Sequence, residues 1–301
     1  MGRLRSIIGL LVWSLAATWS SPPLADPVSA RRLTTVISVG GVFGADGAVF
    51  FASNRHGNDP SRLSIWSMAS DGGSPKELIS GPGANDQVAV SPDGKRIAFV
   101  SDRTGNPEIW LANIDGSGLR QVTDHPGEDI HPNWSPDGRR LLFNSTRDGD
   151  PDSSVERYEI YEADLATGAI RRVTDLGGVN TYASWSPDGR KILFRRLVDG
   201  AGDIFIMDAD GSHLTNLTRH AAMDGWPTWS PDGRQVAFSS NRDGAPEVFE
   251  IYVMVANGSN PRRLSELGGR STSPAYSRDG HTLMFTRSGG GWADLHTINL
   301  P

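Results

Sequence analysis

The sequence predicts an all-β chain: a six-bladed β-propeller of four-stranded antiparallel blades, its ring closed by an N-terminal strand that completes the last blade. Three observations predict it. A short box, Ser-Pro-Asp-Gly in its full form, recurs at regular spacing; each copy is followed by the same series of apolar runs and turn signals; and the two ends of the chain hold complementary fragments of one repeat.

The full boxes are Val90-Ser-Pro-Asp-Gly94, Trp134-Ser-Pro-Asp-Gly138, Trp185-Ser-Pro-Asp-Gly189 and Trp229-Ser-Pro-Asp-Gly233. Tyr276-Ser-Arg-Asp-Gly280 and Phe43-Gly-Ala-Asp-Gly47 are worn copies. Their aspartates, Asp46, Asp93, Asp137, Asp188, Asp232 and Asp279, lie 44 to 51 residues apart, so each repeat is one supersecondary unit.

Within a repeat, an apolar segment ends at the box, where proline presets φ and glycine supplies a positive φ to close a hairpin. The second strand follows, as in Arg96 to Val100 or Gln235 to Ser239. Turns at Thr104-Gly105, Asp148-Gly149, Asp199-Gly200 and Asp243-Gly244 lead to a third strand, such as Glu108 to Ala112 or Asp203 to Met207. A further turn (Asp115-Gly116, Asp210-Gly211, Asn257-Gly258) leads to the fourth, as in Leu119 to Thr123, Ile170 to Thr174, Leu214 to Thr218 and Pro261 to Ser265. Four such strands, repeated radially, make a blade. The last repeat stops at its third strand, Leu295 to Leu300, while Ala30 to Thr34 carries a fourth-strand pattern with nothing before it. Residues 31–36 are therefore expected to complete the blade begun near residue 271, hiding two sheet edges.

Residues 1–30 differ in kind. A basic start (Met1 to Arg5), an apolar run of 13 residues (Ile7 to Trp19) and a Ser/Pro/Ala stretch (Ser20 to Ala30) read as a signal peptide and linker, cleaved after Ala25 or Ala30. The run falls short of the roughly 20 residues that span a bilayer; an uncleaved anchor is the other reading. With no cysteine there is no disulfide framework and no lipid-attachment residue. The expectation is a periplasmic or secreted protein, without stable membrane insertion once the leader is removed. The formal net charge of −6, with basic clusters no longer than Arg31-Arg32 or Arg171-Arg172, argues against nucleic acid as a partner.

The box followed by an apolar strand and Ser-Asp/Asn-Arg, as in Val90 to Arg103 and Trp229 to Arg242, resembles the WD-like repeats of the TolB-like propeller family over roughly residues 31–301. Ser101 to Ile109 is especially close. TolB carries an additional α/β domain ahead of its propeller, which a chain of this length is not expected to hold. The resemblance implies contact with an envelope protein or peptide, such as a peptidoglycan-associated lipoprotein.

The boxes themselves read as structure, since turn conformation and local hydrogen bonds explain Asp and Gly there. Trp134, Trp185 and Trp229 share one repeat position and read as wedges between blades, an aromatic ligand box being the sharper alternative. Eight residues before each box aspartate lie Ser38, Asn85, Asp129, Asn180, Asp224 and Ser271, all with short oxygen-bearing side chains. They read either as a ring of ligands at the channel mouth, suited to a polar ligand or to Ca²⁺, or as capping groups where the inner strand begins. Two residues later stand Gly40, Gln87, His131, Tyr182, Trp226 and Ser273, where the repeats disagree. Variety that the architecture does not require points to recognition chemistry, with ordinary loop variation as the alternative. The candidate ligand-binding residues are Asn85, Gln87, Asp129, His131, Asn180, Tyr182, Asp224 and Trp226.

No catalytic and no metal-ligating residue is predicted. Gly-x-Ser-x-Gly, His-Glu-x-x-His and phosphate-cradling loops are absent from the sequence. No cofactor is expected beyond the Ca²⁺ alternative. Asp150, Asp152 and Glu156 lengthen a turn of the third blade, as a partner contact or a solvated loop. The functional expectation is a non-enzymatic protein- or peptide-binding scaffold of the cell envelope. The alternative is a polysaccharide lyase-like enzyme acting at the channel mouth.

Overall fold

The computed structural model describes residues 30–55, 62–149, 157–198 and 200–300. The expected signal peptide and most of its linker, residues 1–29, and the acidic insertion at 150–156 lie outside the described residues. The described residues form six four-stranded antiparallel sheets. After β1 (Arg31–Arg32), blade 1 holds β2 (Ser38–Phe43), β3 (Val49–Ser53), β4 (Ser64–Met68) and β5 (Lys76–Ile79). Blade 2 holds β6 (Asn85–Val90), β7 (Arg96–Ser101), β8 (Glu108–Asn113) and β9 (Arg120–Gln121). Blade 3 holds β10 (Asp129–Trp134), β11 (Arg140–Ser145), β12 (Glu159–Asp164) and β13 (Ile170–Arg172). Blade 4 holds β14 (Val179–Trp185), β15 (Lys191–Val198), β16 (Ala201–Asp208) and β17 (Thr215–Asn216). Blade 5 holds β18 (Asp224–Trp229), β19 (Gln235–Ser240), β20 (Glu250–Val255) and β21 (Arg262–Arg263). Blade 6 holds β22 (Arg270–Tyr276), β23 (Thr282–Gly289) and β24 (Trp292–Asn299), with β1 as its outermost strand.

The box forms a closed local network. Ser91 Oγ donates to Asp93 Oδ1 at 2.6 Å, the Lys95 amide donates to the same oxygen at 3.1 Å, and the Arg96 amide returns to Ser91 Oγ at 2.9 Å. Gly94 takes the positive φ of 70° that the hairpin needs. The same bonds recur at Asp137, Asp188, Asp232 and Asp279, and in each case the serine hydroxyl, ahead of the backbone amide, holds the carboxyl below its usual range. These side chains serve the turn.

One phenylalanine from each second strand (Phe51, Phe99, Phe143, Phe194, Phe238, Phe285) is fully buried, giving the core its sixfold repeat. Trp134 and Trp185 wedge between blades: Trp134 Nε1 donates to the Ala89 carbonyl of blade 2 at 3.1 Å, and the Arg96 guanidinium stacks 4.7 Å above its ring. No helix among the described residues is long and apolar enough to cross a membrane.

The fourth strands are shorter than their apolar patterns suggest, and a hydroxyl is the reason. At the end of β9, Thr123 Oγ1 accepts the Ile109 amide at 2.9 Å and donates to Glu108 Oε2 at 2.5 Å, so a side chain replaces the next ladder bond. Thr174 with Glu159, Thr218 with Asp203 and Ser265 with Glu250 repeat the clasp. In blade 6 the clasp joins opposite ends of the chain. Arg31 pairs with Thr297 and Arg32 with His296, the Leu33 amide donates to the Leu295 carbonyl at 2.7 Å, and the Leu295 amide donates to Thr34 Oγ1 at 3.0 Å. Arg32 adds an ion pair to buried Asp294 at 2.6 Å.

Deleting residues 31–36 therefore exposes the β24 edge and strands the Asp294 carboxylate. The deletion is expected to lower the melting temperature by about 10 °C or more, and Thr34→Val by an amount matching about 1–2 kcal/mol. A thermal scan in which the deleted form melts with the full chain would refute closure by this strand.

Candidate functional site

Each inner strand carries one bulge at the same repeat position. Register shifts fall between Val39 and Val42, Asp86 and Ala89, Ile130 and Asn133, Thr181 and Ser184, Gly225 and Thr228, and Thr272 and Ala275. The residue at each bulge is left-handed: Gly40 (φ 61°), Gln87 (54°), His131 (55°), Tyr182 (58°), Trp226 (51°) and Ser273 (55°). This is the varied frame of the sequence. Glycine holds such a backbone without strain; a bulky side chain costs on the order of 1 kcal/mol. Four of the six blades accept that cost with Gln, His, Tyr or Trp.

The bulges turn these side chains into a cavity of about 700 Å³ at one end of the central channel. Gln87, His131, Tyr182 and Trp226 line it. His131 and Tyr182 have ring centroids 4.0 Å apart, Tyr182 and Trp226 5.6 Å, and Phe249 meets Trp226 edge-on at 5.9 Å, giving an aromatic arc across blades 3 to 5. A smaller hollow of about 480 Å³, lined by box residues, marks the other end, where Arg278 reaches across to the Ser91 carbonyl at 3.3 Å.

The other four candidates, Asn85, Asp129, Asn180 and Asp224, do not line the cavity; all are fully buried at the starts of their inner strands. The Ser-Asp/Asn-Arg segment explains why. Arg147 pairs with Asp129 at 2.7 Å, Arg242 with Asp224 at 2.9 Å, and Arg103 donates to Asn85 Oδ1 at 2.7 Å. Each guanidinium also stacks on two rings of its own blade, such as Phe143 and Tyr161 for Arg147. Asn180 donates to the Tyr158 and Gly177 carbonyls at 3.1 and 3.0 Å. A divalent cation at Asp129 or Asp224 would have to displace a guanidinium. Burial raises both carboxyls above their usual range even so, with serine and arginine partners opposing. Among the described residues, no group of three or more His, Cys, Asp or Glu is placed to hold a metal.

Three charged residues at or just behind the cavity wall escaped the sequence reading, one of them Glu128, which lines the cavity and accepts the Tyr158 hydroxyl at 2.5 Å. Asp86 also lines the cavity, one position before Gln87, with the Gln87 amide as its partner at 2.6 Å and no cation within ion-pair distance among the described residues. Burial pushes its carboxyl up to about 6 against the amide's opposing effect. Arg195 lies behind the arc, 4.9 Å from the Tyr182 centroid and 5.6 Å from that of Trp226. His131 is held down to about 3 first by burial, then by the positive field of Arg195. The arc is therefore neutral near pH 7. The repeat frames contained the signal. Asp86 is the one charge in the series Val39, Asp86, Ile130, Thr181, Gly225, Thr272, and Arg195 the one in the cross-strand series Ala52, Val100, Asn144, Arg195, Ser239, Thr286.

Comparison with known proteins agrees with this architecture. A family model described as the TolB beta propeller domain matches residues 153–300, and one described as the Tricorn protease N-terminal beta propeller domain matches residues 61–160. A solved structure provisionally named TolB from Agrobacterium tumefaciens superposes with a TM-score of 0.69 at 22% identity, covering 90% of this chain and 97% of that one. TolB from Acinetobacter baumannii gives 0.68 at 24%, covering 84% of this chain and 63% of that protein. Oligogalacturonate lyase from Vibrio parahaemolyticus gives 0.61 at 15%, covering 92% and 96%. At these identities the structures share a fold.

The Asp86 carboxyl, without a cation partner among the described residues, makes a pH prediction. Because the folded pKa of Asp86 is raised, its contribution to stability is whole below about pH 4 and is lost as pH rises through about 6. Asp86→Asn keeps an oxygen for the Gln87 amide and removes the charge. It should melt above wild type near neutral pH, by an amount on the order of 2 kcal/mol, and with it near pH 4. Melting curves that differ equally at both pH values would contradict the unpaired carboxylate.

Proposed function

Because the chain is a TolB-like β-propeller whose channel opens on a neutral aromatic arc, we propose that it is a non-enzymatic binding scaffold of the bacterial cell envelope. It is exported by its leader to the periplasm and takes a segment of a protein partner at the cavity. An envelope protein such as a peptidoglycan-associated lipoprotein suits that role. The observation that carries the reading is the strained bulge. Backbone geometry repeats in all six blades, yet four blades place large polar or aromatic side chains where glycine is cheapest. Together they line one cavity. A hollow of this size, with an aromatic arc on one side and polar groups such as Gln87, Asn133 and Thr228 on the rest of its wall, suits a peptide side chain or turn.

The rival reading is a lyase acting on polyuronates, favoured by the likeness to oligogalacturonate lyase. Two features weigh against it. His131 is the single histidine on the cavity wall among the described residues, and burial together with Arg195 disfavours its protonated form. The two aspartates at the starts of the inner strands, Asp129 and Asp224, are already held by arginines.

Tyr182→Gly combined with Trp226→Gly removes the arc while suiting the left-handed backbone. Envelope extract passed over the immobilised propeller should yield a partner that the double variant captures at least about tenfold less, with circular dichroism unchanged. Equal capture by both forms would reject the cavity as the binding site. Incubation of the wild type with oligogalacturonate and manganese should produce no absorbance from an unsaturated product; its appearance would favour the lyase.

A further inference from the structure

We propose that the cavity holds a seat for a carboxylate, built from the Arg195 guanidinium and the backbone amide of Trp226, so that the segment it takes is acidic. The proposal deepens the peptide-binding reading and rests on it.

The seat follows from how the bulge amides are met. Two of them donate to a second-strand side chain of the preceding blade, whereas the His131 amide donates to Gln87 Oε1 of blade 2 at 2.7 Å and the Gln87 amide to Asp86 Oδ1 at 2.6 Å. Tyr182 N donates to Asn144 Oδ1 of blade 3 at 3.0 Å, and Gly40 N donates to Thr286 Oγ1 of blade 6 at 3.1 Å. Asn144 faces Ile130 across its sheet and Thr286 faces Thr272, in each case the residue just before the bulge. The same register in blade 4 sets Arg195 opposite Thr181. Arginine carries no acceptor. Where Tyr182 and Gly40 receive an oxygen, Trp226 is met by a cation. Arg195 lies across the residue before it: a Cβ on Gly225 would stand 3.3 Å from Arg195 Cδ and 3.7 Å from Nη1.

Arg195 is itself unpaired. It is 5% exposed, its Nε finds no hydrogen-bond partner, and no carboxylate lies within ion-pair distance among the described residues. The contrast with Arg147 and Arg242 is direct, for each of those stacks on rings and also holds an aspartate. Two faces of π-electrons, Tyr182 and Trp226, offset part of the charge of Arg195, but the donors remain. A second guanidinium without a carboxylate partner, Arg270, stacks 5.1 Å from Phe249 at the end of the same arc. A buried guanidinium beside a bulge amide is a donor set that suits a carboxylate. Asp86 and Glu128 face the cavity from blades 2 and 3, with Glu128 accepting the Tyr158 hydroxyl at 2.5 Å. They repel an anion from their own walls and so bias it toward blades 4 and 5.

Three peptides test the seat by titration while the tryptophan indole signals are followed by NMR, Trp226 being identified by its loss in Trp226→Phe. Acetyl-Phe-Glu-Gly-amide carries a side-chain carboxylate, acetyl-Phe-Gln-Gly a terminal one, and acetyl-Phe-Gln-Gly-amide neither. At least one acidic peptide should bind about tenfold tighter than the neutral one, and which of them does identifies the source of the carboxylate. In Arg195→Met the preference should fall to within about twofold, while the melting temperature stays the same or rises because an unpaired buried charge has gone. Equal affinity of all three peptides for the wild type overturns the seat but leaves a cavity that binds peptide. Failure of all three to bind also overturns it, with the peptide reading then decided by the extract experiment. A preference that survives Arg195→Met assigns the charge elsewhere and overturns it as well. The wild-type comparison stands whether or not the variant folds.

Discussion

A hydroxyl set against a buried carboxylate at the outer edge of each clasped blade is the interaction on which the ring depends. Glu108, Glu159, Asp203, Glu250 and Asp294 stand at or near the starts of third strands, and each is met by a Thr or Ser that ends a fourth strand. The hydroxyl does two tasks: it satisfies an acid that burial would otherwise penalise, and it receives the amide that the shortened ladder leaves over. Blades 2 to 5 close their clasps locally. Blade 6 closes its own only when Thr34 meets Asp294, so one clasp converts a row of sheets into a closed ring and covers the β24 edge. Once the ring is closed, the six inner strands are held facing one another, and whatever their bulges carry is brought to a common centre.

The division of labour among arginines follows from that geometry. Arg103, Arg147 and Arg242 bridge the loop after a second strand to the first residue of the inner strand, fixing the loop from which the inner strand starts. Their neighbours Asp102, Thr146 and Asn241 accept the amides of Ala84, Glu128 and Met223 in the preceding loop. These groups belong to the frame that positions the bulge. Charges left without such partners, Asp86 and Arg195, stand where the frame calls for neutral residues, and they flank the cavity from different blades. Scaffold and site are thus separated by two residues along the inner strand: its first residue is a satisfied structural group, and two positions on is a strained recognition side chain.

Much of this was legible in the sequence. The boxes, the order of strands within a repeat and the closure by residues 31–36 are all carried by local turn chemistry and by a period that counts itself, so they needed no tertiary information. Half of the candidate site was legible too, since variation at Gln87, His131, Tyr182 and Trp226 stood out against the repeat. The other half was misplaced because Asn85, Asp129, Asn180 and Asp224 were judged by residue type alone. Short polar side chains suit a channel mouth, but they equally suit a buried partnership: Asn85, Asp129 and Asp224 each meet an arginine 18 residues onward (Arg103, Arg147 and Arg242), and Asn180 meets backbone carbonyls. The left-handed bulge was hidden for a different reason. Only Gly40 and, more weakly, Ser273 hint at it, because the residues in the other blades are chosen against their backbone preference.

That choice against preference also bears on why the arc and the unpaired arginine occur together. A cation-π wedge alone would be served as well by the arrangement at Arg147, where rings and a carboxylate share one guanidinium and no charge is left over. At Arg195 the carboxylate is missing, although the adjoining frames of the same fold show that an acceptor fits there, as Asn144 and Thr286 do. Retaining a lone guanidinium therefore keeps a cost that a neutral residue would remove, next to two rings that keep a backbone cost of their own. Costs that the scaffold can avoid, and that converge on one wall of one cavity, are explained together by a ligand that relieves them: an anion for the arginine and the amide, and a flat or apolar group for the rings.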